Sequence, residues 1–190
     1  MKSSWIAAAL VAFAFITRAG AQAGQDVLLA PSQAGPHGQA PGMKVQLLSE
    51  SGQLKTYAVI FRTGDEAYSG LYEFAREYHV TAAHFTAIGA LSGARLAWFD
   101  PTRKMYKQIA INGQVEVLSM IGDIALSNGK PAVHTHMVVG FSDGSVRGGH
   151  VLEARVRPTL EVMVTVEPNT MDRVADPATN LTLIEPSAHE

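Results

Sequence analysis

Residues 133–150 read V-H-T-H-M-V-V-G-F-S-D-G-S-V-R-G-G-H: two arms, the first apolar and β-branched, on either side of Ser142-Asp143-Gly144. This is the pattern of a β-hairpin closed by a three-residue loop with glycine at the left-handed position. Side chains alternate faces along a strand, so His134 and His136 project on the same side. If Phe141 stands opposite Ser145, counting back along both arms sets His136 against His150, on the face that also carries His134. Three imidazoles then converge. A two-residue Asp143-Gly144 turn would instead set Met137 against His150 and reverse the parity, unless a bulge at Gly148-Gly149 restores it.

Three neutral imidazoles on a rigid sheet suit a divalent ion of the zinc type, because three protein nitrogens and an open fourth position are a common arrangement in reactive zinc sites. An ion held so would supply Lewis-acid chemistry, such as hydrolysis or hydration. Spacing alone is a weak metal signature. The alternative is a half-polar strand face whose histidines bond to backbone or water.

Working outward, the pattern is that of an α+β domain over residues 43–185. Strands are expected near Val45–Leu48 and Tyr57–Arg62, with a turn at Glu50-Ser51-Gly52. The period then changes: Ala67, Leu71, Phe74, Ala75 and Tyr78 recur at helical spacing. They predict an amphipathic helix over residues 66–78 with Asp65 as N-cap. Seven apolar-rich segments follow, Ala83–Gly89, Ala94–Asp100, Met105–Ile111, Gln114–Ile121, Ala132–Phe141, Val146–Ala154 and Leu160–Val166, bounded by glycine, proline or Asn-Gly. Asn112-Gly113 reads as a type I′ hairpin turn. His79 and His84 flank the helix end and the next strand and receive no chemical role. There is no internal repeat.

The 190 residues, 47% of them hydrophobic, suffice for one buried domain. Met1-Lys2, an uncharged apolar run from Trp5 to Ile16, and the small residues of Ala19-Gly20-Ala21 form a signal-peptide pattern over residues 1–23. Its apolar core is too short to span a bilayer, and no other segment could do so. The expectation is a periplasmic or secreted protein cleaved near Ala21 or Ala23, with no transmembrane segment in the mature chain. Cysteine is absent, so the fold depends on its core, on a metal or on association.

Removing residues 1–23 takes away Lys2 and Arg18 and no acid, leaving 13 basic against 17 acidic side chains and a formal charge near −4. This argues against nucleic acid as the main partner. Basic side chains at Arg103, Lys104, Lys107, Arg147, Arg155 and Arg157 lack interleaved aromatics and read as solvated faces. Residues 24–42, with Pro31, Pro36 and Pro41 and almost no charge, are expected to form a flexible linker with His37 in solvent. Residues 186–190 are a C-terminal tail.

Read as an ordered set, Ile88-Gly89-Ala90-Leu91-Ser92, Trp98-Phe99-Asp100, Gly113-Gln114-Val115-Glu116-Val117-Leu118-Ser119, His134-Thr135-His136, Gly148-Gly149-His150-Val151-Leu152-Glu153 and Leu160-Glu161-Val162 resemble the plants and prokaryotes conserved (PPC) domain. The resemblance implies a single antiparallel-rich sheet packed with one or two helices, and a homotrimer. It also implies that His134, His136 and His150 are metal ligands near a subunit boundary. Glu161, and secondarily Glu153, are candidates to orient a ligating imidazole through its second nitrogen.

Two departures bear on function. The Arg-Gly-Arg-Pro hook that ties plant members to DNA has no counterpart in residues 24–42. The plant Gly-Arg-Phe-Glu-Ile-Leu recruitment stretch is replaced by Gly113-Gln114-Val115-Glu116-Val117-Leu118, which loses the arginine and the aromatic. The expected function is an exported protein that binds Zn2+ or a similar ion through three histidines and takes a small ligand or acts on it. A DNA-binding regulator and a purely structural trimeric envelope module are the alternatives. The substrate is not legible.

Overall fold

In the computed structural model, which describes residues 26–186, three strands are far longer than the sequence pattern marked out. The signal peptide read over residues 1–23 lies outside the described residues, as does all of the tail except Pro186. In chain order the elements are β1 (Leu28–Leu29), a single 3-10 turn (Pro31–Gln33), β2 (Lys44–Ser51), β3 (Leu54–Arg62), α1 (Ala67–Glu77), β4 (Ala83–Asp100), β5 (Met105–Ser127), β6 (Lys130–Gly140), β7 (Val146–Val166), β8 (Asp172–Asp176) and β9 (Leu181–Glu185). All nine strands belong to one sheet, ordered β2-β3-β7-β4-β5-β8-β9, with β1 on β5 and β6 on both β5 and β7. Every pairing is antiparallel except the short one between β5 and β8. The expected α+β class holds, with one α-helix among the described residues.

β4, β5 and β7 each absorb two expected strands, and the joints survive as bulges. Between the pairs Leu91↔Val115 and Gly93↔Asn112, one residue of β4 faces two of β5, Gly113 and Gln114. That two-against-one count defines a bulge, and Gly113 takes the positive φ of 94° that such a position favours. Asn112-Gly113 is therefore not a hairpin turn, because β4 is long enough to pair with β5 on both sides of it. The turn that does reverse the chain is Asn128-Gly129. Its two residues have φ 50° and 72°, and Ser127 pairs with Lys130 across it, as in a type I′ turn. The expected break between Ala154 and Leu160 is likewise a bulge, with β7 continuing past Pro158 against β4.

The bent strands let the sheet curl, and β6 closes it by pairing with β5 along its length and with β7 at its end. α1 packs on the inner face, where Phe61, Leu71, Phe74, Phe85, Leu91, Met120 and Leu160 are fully buried. The outer face keeps Ile88, Leu118, Ile121 and Met163 exposed. None of the described helices is long and apolar enough to cross a membrane.

The N-cap of α1 is Glu66 and not the expected Asp65. Glu66 accepts from the backbone N–H of Tyr68 and Ser69, from the Ser69 hydroxyl, and from the Ala154 N–H of β7. Asp65 instead accepts from Gly42 and Arg62, pinning the chain before β2. Beyond Glu77 and the C-cap Tyr78, His79 adopts a left-handed φ of 53°, and His84 faces Glu167 at 3.2 Å on the surface.

Residues 26–42 correct the expectation of a flexible linker. β1 pairs with β5, Gly38 N–H donates to Ser69 Oγ, the Gln39 carbonyl accepts from Glu66 N–H, and Ala40 is buried. Low charge and three prolines describe a segment that forms no long strand, yet its backbone groups find partners on the domain. His37 remains exposed.

Glu66→Gln keeps the shape of the cap but faces an NH2 group toward donors. Urea denaturation should record a loss of about 2–3 kcal/mol, the scale of a buried charged hydrogen-bond set, against no measurable change for the exposed Glu50→Gln.

Candidate metal centre

The β6–β7 turn fixes the site. Phe141 N–H donates to Ser145 O, Gly144 N–H donates to Phe141 O, and Gly144 takes φ 80°. The loop is thus the three-residue one, and His136 pairs with His150. His134 lies two residues along β6 on the same face. The three rings meet with centroids 5.1, 5.3 and 5.5 Å apart, and each offers a nitrogen within 4.8 Å of the others.

Burial grades across the cluster: His136 is exposed, His134 half-buried and His150 buried at 8% exposure. His150 stacks flat on Tyr106 of β5, with centroids 4.7 Å apart and planes 10° from parallel. Burial, helped by the neighbouring His134 and His136 and by Arg173, pushes its pKa down to about 3. Burial and His134 also lower that of His136. These imidazoles are neutral at pH 7, the form that donates a lone pair to a metal.

The donor set passes three tests for a zinc-type ion. It is all imidazole nitrogen on strands held by β-ladders. His134 Nε2 and His136 Nε2 are 3.2 Å apart, close to the edge of about 3.3 Å in a tetrahedron with 2.0–2.1 Å bonds. His150 Nδ1 is buried without a hydrogen-bond partner among the described residues, so no hydrogen bond there ties the ring to a non-ligating role.

The carboxylate beside the histidines is Asp123 of β5, and neither glutamate taken as a candidate reaches them. Asp123 Oδ2 lies 3.7 Å from His134 Nδ1, and its other oxygen accepts from Arg173 Nη2. Burial would raise this carboxyl, but His134 and Arg173 together outweigh it and hold the pKa below the usual range. Glu153 is occupied by Arg95 at 2.5 Å and Arg155 at 2.6 Å. Glu161 pairs with Ile88 and Ile60 far along β7 and is exposed. Asp123 was open to sequence reasoning through Asn128-Gly129, since a two-residue turn there sets it opposite His134. Arg173 carried no such signal, because β8 reaches β5 by parallel pairing.

With its folded pKa depressed, His150 takes up a proton more readily in the unfolded chain. Its contribution is therefore full above about pH 6.5 and is lost as pH falls toward 3. In chelator-treated protein, lowering the pH from 7 to 5 should shift the stability difference toward His150→Gln by about 1–2 kcal/mol. Urea midpoints of the two proteins at each pH measure this, and parallel curves would contradict it.

Comparison with known proteins places this geometry. The Plants and Prokaryotes Conserved (PCC) domain matches residues 48–167. No curated protein matches the chain in sequence. Among solved structures, a protein of Ralstonia eutropha JMP134, provisionally named as DNA-binding, is 31% identical with a TM-score of 0.66, over 73% of this chain and 94% of that one. A plant- and prokaryote-conserved protein of Pyrococcus horikoshii is 27% identical at TM-score 0.66, over 73% of this chain and 98% of that one. A metal-containing protein of Archaeoglobus fulgidus is 28% identical at TM-score 0.65, over 76% and 98%. The chain belongs to the Plants and Prokaryotes Conserved domain family.

Proposed function

We propose that this protein is an exported member of the family that binds a divalent ion, zinc by its donor set, through His134, His136 and His150, and works as a homotrimer that holds a small ligand or acts on it at the ion. The observation that carries the reading is the convergence of three imidazole donors within 4.8 Å on one sheet face. The Archaeoglobus fulgidus relative, named as metal-containing, supports it.

Each neighbour of the ligands has a part. Asp123 holds the Nδ1 side of His134 and is itself held by Arg173, as carboxylates commonly orient zinc-bound imidazoles. The Tyr106 ring fixes the plane of His150. When bound, the ion supplies Lewis acidity to a ligand oxygen.

Association is supported by the outer sheet face, where Ile88, Leu118, Ile121 and Met163 are between 43% and 60% exposed. A contiguous apolar patch of this kind marks an interaction surface. Ile121 pairs with His136, so the patch runs up to the histidines. Export is supported by the apolar N-terminal run from Trp5 to Ile16 and the small residues Ala19-Gly20-Ala21 after it.

A DNA-associated role draws support from the provisional names of the Ralstonia eutropha and Bacteroides thetaiotaomicron relatives. The charge balance runs against it. Arg95, Arg103, Lys107 and Arg155 are also engaged by Glu153, Asp100 and Asp26, which takes these four away from phosphates.

Elemental analysis and native mass of untagged protein, beside His134→Ala/His136→Ala, test the reading. About one zinc per subunit in a mass of three subunits is expected, with the metal lost in the double variant. A wild type that stays metal-free after incubation with zinc overturns the metal centre. N-terminal sequencing of the protein recovered from the periplasm should begin after Ala21 or Ala23.

A further inference from the structure

A cavity of about 380 Å³ opens beside the histidines, with His134 and His150 in its wall. α1 contributes Tyr68 and Tyr72, and β5 contributes Tyr106. Ala132 and Val133 of β6 and Arg173 of β8 add to the wall, and the rest comes from two segments, within residues 31–35 and 180–183. Both lie outside residues 48–167, the part matched by the family. The cavity is thus walled in part by residues beyond the matched family segment.

The chemistry of the wall is one-sided. Its ionisable side chains are His134, His150, Arg173 and the three tyrosines, and no carboxylate is among the described residues that line it. Arg173 is nine-tenths buried. Its Nη2 is on Asp123 and its Nη1 donates to Thr182 O at 3.2 Å, while Nε has no partner. With Arg173 paired to Asp123, the draw on an anionic group comes from the ion that the histidines take, and the guanidinium adds N–H donors beside it. Apolar wall is supplied by Tyr72, Leu181 and Leu183, and by Tyr106 where it stacks on His150. The volume falls at the small end of the range for organic-ligand sites and exceeds what an inorganic anion fills.

We propose that this cavity binds a small aromatic carboxylate, its carboxylate toward the histidine-bound ion and Arg173 and its ring among Tyr72, Tyr106 and Leu183. The proposal deepens the metal reading above and rests on it for the anion's main contact. The flanking segments help set which acid fits, since both line the cavity.

Calorimetric titration of zinc-loaded protein with benzoate and phenylacetate tests it, with benzyl alcohol as the neutral control. At least one of the two acids should bind, and benzyl alcohol should bind at least tenfold more weakly than that acid. Leu183 is 44% exposed, so Leu183→Trp can fill the mouth without disturbing the core. It should weaken binding of the acid at least tenfold at unchanged zinc content and melting temperature. Tyr72→Ala, which removes one wall, should weaken binding severalfold in the same assay. Zinc-loaded protein that ignores both acids, or a Leu183→Trp variant that binds them as tightly as wild type, overturns the cavity assignment and leaves the metal centre standing. A protein that takes up no zinc overturns both.

Discussion

The site depends on strand register, and register here is set by two tight turns. Asn128-Gly129 sets Asp123 opposite His134, and Ser142-Asp143-Gly144 sets His136 opposite His150. A slip of one residue at either turn would carry a whole arm of side chains to the other face, separating the carboxylate from its imidazole or His150 from the other two. Gly122 serves the same geometry. A Cβ there would run into the His134 carbonyl oxygen, the Phe85 ring and Thr135, so β6 lies close to β5 because that position has no side chain.

The electrostatics follow from depth. His150 is pressed between Tyr106 and the other histidines, where a charged imidazolium is poorly solvated, and it stays neutral. Asp123 is half-buried yet ionised, because the Arg173 guanidinium answers it. The result is a graded site with a dry, uncharged ligand at its base, an exposed one at its rim, and a paired acid and base alongside. Such grading suits an ion that is anchored on one side and open on the other.

The same curled sheet separates two surfaces. Its inner face is filled by α1, and Glu66 ties the start of that helix to Ala154 of β7. Its outer face remains apolar from Ile88 to Ile121 and ends at His136. The cavity lies beside the histidines, with residues 31–35 and 180–183 in its wall. Tyr68 spans these regions, with its ring buried and its hydroxyl 3.4 Å from the Ala34 and Val133 carbonyls and from Tyr72.

By itself the sequence determined the periodic features: a helix over residues 66–78, found at Ala67–Glu77, the strand-rich remainder, the β6–β7 hairpin and the three histidines it gathers. These are local, since a period of 3.6 or 2 and a turn residue act over a few neighbours. The tertiary structure decided what depends on a distant partner. Asn112-Gly113 and Asn128-Gly129 are the same dipeptide, and one became a bulge because β4 continues alongside it while the other reversed the chain. Glu66 displaced Asp65 as cap because Ala154 N–H waits across the fold. Glu161 and Glu153 were kept from the histidines by their partners across the sheet, Glu161 set against Ile60 and Ile88 and Glu153 held by Arg95 and Arg155. Arg173 arrived through a parallel pairing with no sequence signature, and residues 26–42 lay down on the sheet because their unpaired backbone groups found donors and acceptors there.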